Sequence, residues 1–240
     1  MLQDIIPEHV HSLEEGTAFK FRCHAGVPCF TECCRELELA LTPYDVLRLK
    51  NNLGLTSEQF LDRYCLVEQN PESPFPQIYL GMVDDGRGSC PFVGPDGCSV
   101  YQDRPGACRT YPLGRAAFQT PDRVSHSFHV LLTEPHCKGF TQPEQQTVDQ
   151  WNEEQGLISY NAFNDLVLTI LLDKKAKTIT LDKKQIDSFM LALYNLEGFR
   201  IWAGHPETGV KLGPVTFDRD DDAELLKAGI HWLYNELLGE

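Results

Sequence analysis

Eight of the nine cysteines in this 240-residue chain stand in two bursts, and no other feature of the sequence restricts its folding as much. The first burst, FRCHAGVPCFTECC, carries Cys23, Cys29, Cys33 and Cys34. The second, CPFVGPDGCSVYQDRPGACRTYP, carries Cys90, Cys98 and Cys108, and Cys137 follows in EPHCKGF. Thiolates bunch in this way when they must converge on a soft cation, because each sulfur has to lie about 2.3 Å from the metal. The spacings are C-x5-C, C-x3-C and an adjacent pair, then gaps of seven and nine residues. They contain no C-x2-C knuckle and neither ferredoxin spacing, so the pattern predicts metal without specifying which one.

Composition narrows the surroundings of such a site. A hydrophobic content of 42% is enough for a core that does not depend on metal alone. A net charge of −14 argues against nucleic acid, since phosphate recognition needs a basic face, and suits docking onto another protein. The opening MLQDIIPEHVHSLEEG has no basic region followed by an apolar stretch, so no export signal is expected. The longest apolar run, near Leu166 to Leu172, is too short to span a bilayer. The expectation is a cytoplasmic chain with no membrane partner, in a reducing compartment where an odd number of cysteines does not form a disulfide framework.

Cys33 and Cys34 pose a separate question. On an extended segment adjacent side chains point to opposite sides, and on a helix they diverge by roughly a quarter turn. One of the two packs as a small hydrophobe, or they serve different irons or different metals. Cys65, at the end of a segment with Phe60, Leu61 and Tyr64, reads as a core residue. His24, His126, His129 and His136 read as surface or core histidines, with His136 beside Cys137 the first to test as a ligand. Arg104, Arg109 and Arg115 read either as plain surface arginines or as guanidiniums near the thiolates that would offset their charge and donate hydrogen bonds to sulfur.

Local signals predict mainly helix with little strand. Thr42-Pro43-Tyr44-Asp45 offers an N-cap, a proline at the first helical position and an acidic third residue, with Gly54 as the stop. Thr56 to Gln59 reads as a second capping box, and QIYLGMV as a strand. Thr141 to Glu144 predicts a helix ending near Gly156, and Asn161 to Leu172 a second. Asp182 caps a third, through Leu196, and Asp221 or Asp222 begins a fourth. The expected architecture is an irregular cysteine-rich metal-binding core over residues 1–140, with a helical C-terminal extension over 141–240 packed on it.

FRCHAGVPCFTECC, LTPYDVLRLKNNLG and CPFVGPDGCSVYQDRPGACRTYPLGR together resemble the YkgJ-type cysteine-cluster family, described as a zinc- or iron-chelating domain. The agreement runs through Cys23, Cys29, Cys33, Cys34, Asp45, Cys90, Pro91, Phe92, Cys98, Ser99, Tyr101, Arg104, Pro105, Cys108, Arg109, Tyr111 and Pro112, with Cys137 matching a later cysteine. It covers roughly residues 19 to 140. The first burst has longer gaps than many members and is remotely similar to the cysteine segment of flagellin lysine N-methylases. That likeness implies an iron–sulfur-dependent protein methyltransferase. No glycine-rich strand–turn–helix announces a nucleotide-like cofactor fold.

The leading expectation is a metal-binding protein that holds an iron–sulfur cluster, of the 4Fe-4S type, or zinc or iron ions. Its ligand pool is Cys23, Cys29, Cys33, Cys34, Cys90, Cys98, Cys108 and Cys137. It would act as a redox, metal-handling or accessory factor toward another protein. The alternatives are a structural-zinc interaction module and the methyltransferase-like enzyme.

Overall fold

The computed structural model describes residues 7–14, 16–70, 73–120, 125–173, 175–176, 179–208 and 221–239. Two short strands, β1 (Val10–Ser12) and β2 (Phe19–Lys20), precede the first cysteine burst. Helix α1 (Pro43–Leu53) starts where Thr42 and Asp45 cap each other reciprocally, and Gly54 ends it in the left-handed conformation at φ 65°. Helix α2 (Ser57–Tyr64) repeats the device with Thr56 and Gln59. Strands β3 (Cys65–Glu68) and β4 (Gln77–Leu80) form an antiparallel hairpin.

A second hairpin, β5 (Val93–Gly94) and β6 (Gly97–Cys98), leads to the one-turn helix α3 (Gly106–Thr110). Strands β7 (Leu113–Gln119) and β8 (Ser125–Leu132) then pair antiparallel, and β1 adds to the other edge of β8. These strands were not anticipated. After β9 (Gln145–Gln146) the chain is helical: α4 (Val148–Glu154), α5 (Leu157–Leu171), α6 (Lys183–Tyr194), α7 (Leu196–Gly204) and α8 (Asp222–Leu238). The fold is α+β and mostly helical, with small scattered sheets.

Three of the expected helix boundaries move. Thr141 does not open a helix, because Gly139–Thr141 is a 3-10 turn and β9 pairs with β2 immediately afterwards. The box that does form is Thr147 with Gln150, at the head of α4. Gly156, left-handed at φ 64°, separates α4 from α5, which therefore begins at Leu157. Leu196 does not extend the third helix: Asn195 leaves helical geometry, and its side chain accepts from Gly198 N–H to cap α7. Asp182 and Asp221 cap α6 and α8 as their sequences imply.

The chain divides into two units, Met1–Leu37 with Met82–Ser159, and Glu38–Gly81 with Tyr160–Glu240. The sequence reading draws a single boundary at residue 140, whereas the grouping of Glu38–Gly81 is with the C-terminal helices. The reason lies in the apolar faces. In the second unit Leu49 of α1, Phe60 of α2, Phe199 of α7 and Leu225, Leu226 and Leu233 of α8 are fully enclosed. Burying one such side chain gains roughly 1.5–3 kcal/mol, so the α1–α2 stripe goes where partner stripes exist. Helix α8 comes so near α6 that a Cβ on Gly229 would lie 2.6 Å from the Ala192 carbonyl oxygen. Among the described residues no helix is long and apolar enough to cross a membrane.

Candidate metal centre

The unit containing the eight clustered cysteines is organised around one aromatic ring. Phe21, two residues before Cys23, is almost inaccessible and meets Tyr111, Phe140 and Trp151 edge-on, at centroid distances of 5.8, 5.1 and 5.6 Å. Tyr111 follows Cys108 and Phe140 follows Cys137, so three cysteine-bearing segments share one hydrophobic anchor. Gly139 lets this happen: a Cβ there would stand 2.4 Å from the Phe21 ring. Trp151 Nε1 donates to the Thr110 carbonyl (3.0 Å), fixing α4 to the end of α3.

Backbone contacts then join the bursts. Cys33 and Cys34 lie in a 3-10 turn, Glu32–Cys34, bracketed by two non-glycine residues in the left-handed region, Thr31 (φ 68°) and Glu36 (φ 51°). Such conformations cost roughly 1–3 kcal/mol each and gather at functional sites. Cys90 N–H donates to the Cys34 carbonyl (2.8 Å). The β5–β6 turn carries Cys98 back beside Cys90, and Gly97 at φ 112° receives the edge of the Phe30 ring, which follows Cys29. Lys138 N–H donates to Cys29 Sγ (3.0 Å), linking the first burst to the segment of Cys137.

The thiols act on one another. Burial, then Cys33, Cys29 and Cys137, pushes the Cys23 thiol up to about 11, while Arg104 pulls the other way. A shared hydrogen bond lowers Cys33 and raises Cys34, and burial and the neighbouring Cys90 and Cys108 raise Cys34 further. Burial also raises Cys90, Cys98 and Cys137, with Cys33 adding to the first two and Cys29 to the third. Raised thiols hold protons that a thiophilic cation must displace, so metal binding here releases protons. None of the nine cysteines is in a disulfide.

The three arginines part company. Arg104 stacks on Tyr101 (3.9 Å to the ring centroid) and donates to the Tyr101 carbonyl (2.7 Å) and to the Gln155 side chain. Held there, its charge acts on Cys23, Cys98 and Cys108. Arg109 has another task. Its buried guanidinium donates to the carbonyls of Arg104 (2.9 Å), Gln155 (2.7 Å) and Gln102, clamping the backbone between Cys98 and Cys108 to the end of α4. Arg115 is on β7, in register with His129.

Cys65 is in the other unit, at the start of β3, half-buried, and burial alone pushes its thiol up to about 12. The histidines do not converge. His24 is exposed, its Nδ1 accepting from Gly26 N–H; His126 stacks on Phe118; and His136 faces Glu134 at 3.6 Å. Among the described residues, no group of three or more His, Cys, Asp or Glu side chains stands in an ion-holding arrangement. The donor set nonetheless has the chemistry a soft metal needs: eight mutually interacting thiols, a backbone N–H on sulfur and a fixed guanidinium. The buried Tyr111 hydroxyl lies beside Cys137 and Glu134 and has a proton to offer a thiolate there.

The aromatic anchor, the Lys138 N–H and the Arg109 clamp were missed from sequence; the glycine two residues past Cys137 was the available signal for the first. No curated protein and no solved structure matches this chain. Residues 22–138, a span that begins just before Cys23 and ends just after Cys137, match a described family of domains. Its label, CxxCxxCC, has shorter gaps than the C-x5-C-x3-CC found here. Over these residues the chain is similar to the CxxCxxCC family, described as a candidate zinc- or iron-chelating domain, and this likeness supports metal binding by the cysteine-rich segment.

Proposed function

We propose that the cysteine-rich unit holds an iron–sulfur centre through Cys23, Cys29, Cys33, Cys34, Cys90, Cys98, Cys108 and Cys137, and that the protein serves as a redox, metal-handling or accessory factor for another protein. The observation that carries this reading is Arg104, clamped by Tyr101 and Gln155 with its charge acting on Cys23, Cys98 and Cys108. An all-thiolate cluster carries excess negative charge, and a fixed guanidinium together with the Lys138 N–H on Cys29 Sγ offsets it. When bound, the cluster supplies one-electron chemistry; these residues hold it and set its electrostatic environment. The acidic surface, at −14, suits a basic protein partner.

The test is anaerobic purification followed by iron, zinc and acid-labile sulfide analysis with a visible spectrum. Brown protein with iron and sulfide in similar amounts supports the proposal. Colourless protein with tightly held zinc overturns it and moves the functional surface to the helices. The methyltransferase-like reading adds one requirement, binding of S-adenosylmethionine by the same holoprotein in calorimetry.

A further inference from the structure

The sheet of β1, β8 and β7 meets water with its aromatic side. Its register puts Leu113, Arg115 and Ala117 of β7 on one face with Leu131 and His129 of β8. Leu113 is buried, Arg115, Ala117 and His129 are half-buried, and His129 Nε2 is enclosed. The covered face therefore takes in a guanidinium and an imidazole. The opposite face sets Ala116 against Phe128 and Phe118 against His126, and all four are exposed. The rings of Phe118 and Phe128 are 47% and 53% exposed, and Phe118 stacks on His126 at 5.4 Å. Val130, which lies 2.9 Å from where a Cβ on Gly114 would stand, and Ser12 of β1 extend the same face. A sheet with one face on the core ordinarily turns its apolar residues in and its polar ones out. Here both phenylalanines point out.

We infer that this face is where two copies of the chain meet, sheet against sheet, in a symmetric dimer. Charge selects the occupant. The chain as a whole carries −14, yet Ser12, Ala116, Phe118, His126, Phe128 and Val130 include no Asp, Glu, Lys or Arg. A basic partner finds no carboxylate there, and an acidic partner finds no lysine or arginine. A second copy finds a neutral apolar patch like its own. Two molecules of this charge repel wherever their carboxylates face each other, so an acid-free face is where they approach with least repulsion.

Packing of two such sheets about 10 Å apart encloses both rings of each copy, a burial that the single chain does not supply. A two-fold axis suits a patch of this kind, because an isologous interface sets the same residues against themselves. The face is small, so the dimer is a weak one, dissociating roughly in the micromolar range. Dimerisation here is independent of what the cysteine-rich unit holds, since none of the six residues is a cysteine.

Sedimentation velocity on the full chain, reduced and anaerobic, from about 1 to about 100 µM tests this. The expected result is a monomer that becomes a dimer as concentration rises, with chelator as well as without it. Phe118→Lys/Phe128→Lys, checked for native circular dichroism, should weaken association by about a hundredfold or more and stay monomeric throughout. Ile201→Lys, at the most exposed large apolar side chain among the described residues and in the other unit, should dimerise as wild type does. If the double lysine variant does not fold, Phe118→Ser and Phe128→Ser replace it, each raising the midpoint concentration about tenfold. A wild-type chain that stays monomeric overturns the inference and leaves the face to a different protein. Dissociation of the dimer by chelator also overturns it, because metal bridges between thiolates would then be the link. So does a dimer unaffected by folded substitutions at Phe118 and Phe128.

Discussion

Lys50 Nζ stands 2.6 Å from Asp222 Oδ2, joining α1 to α8 across 172 residues of sequence. The same ammonium, on a side chain only 4% exposed, is 2.9 Å from Glu197 Oε1 of α7, and Arg200 is a second cation on Asp222. Ser57 N–H completes Glu197 (3.0 Å). Removing one member of a buried, satisfied network strands the others, at about 3–5 kcal/mol. Lys50→Met should therefore lower the stability of the full chain by about that amount, read as a drop in urea midpoint with little change in slope.

The same network sets an acid limit. Burial alone would raise both carboxyls, but the bonds from Ser57 and Lys50 to Glu197, and from Lys50 and Arg200 to Asp222, outweigh it and hold both below the ordinary carboxylate range. Folded values below unfolded ones mean stability that is present above about pH 4 and lost as pH falls further, through the folded values. Thermal melts between pH 7 and pH 3 should show this loss. It should be shallower in Lys50→Met, where less depression remains to be undone.

Cys108→Ser should lower metal content sharply and Cys65→Ser should leave it unchanged, because Cys65 belongs to the other unit. Metal analysis of the two purified variants checks this. Equal metal in both would remove Cys108 from the ligand pool.

Arg109→Lys should behave as a severe substitution despite keeping the charge. Three carbonyls, of Gln102, Arg104 and Gln155, depend on the planar guanidinium, and an ammonium on a different stem cannot reach all three. Buried carbonyls left unpaired cost about 1–3 kcal/mol each. The expected readouts are a lowered melting temperature and reduced metal retention under chelator challenge.

Gly139→Ala should cost about 1–3 kcal/mol, since its methyl group would meet Phe21 at 2.4 Å and the Arg22 carbonyl oxygen at 3.0 Å. A ring already fixed by Tyr111, Phe140 and Trp151 has nowhere to go. Faster metal loss to chelator than in wild type, at matched temperature, is the measurement.

Helix starts were legible wherever the signal was local. Thr42 with Asp45, Thr56 with Gln59, Asp182 and Asp221 each satisfy backbone N–H groups within three residues, so neighbours in sequence suffice. Thr141 misled because the same local signal competes with β2–β9 pairing, a contact more than 120 residues away in sequence. The β7–β8 hairpin escaped notice for a related reason: LGRAAFQ and SHSFHVLL lack strict alternation, and pairing rather than pattern makes them strands.

The metal-binding character of residues 22–138 was legible before any fold was known. Thiol is a property of the residue, and eight of nine cysteines within residues 22–138 carry that chemistry wherever they are placed. How those thiols associate came only from the fold: Cys29 with the Cys137 segment through the Lys138 N–H, Cys34 with Cys90 through a backbone bond, and Arg109 turned to carbonyls while Arg104 is held by Tyr101 and Gln155. Those relations depend on distances across dozens of residues. They were settled by which aromatic rings and backbone donors found each other, and no local pattern encodes that.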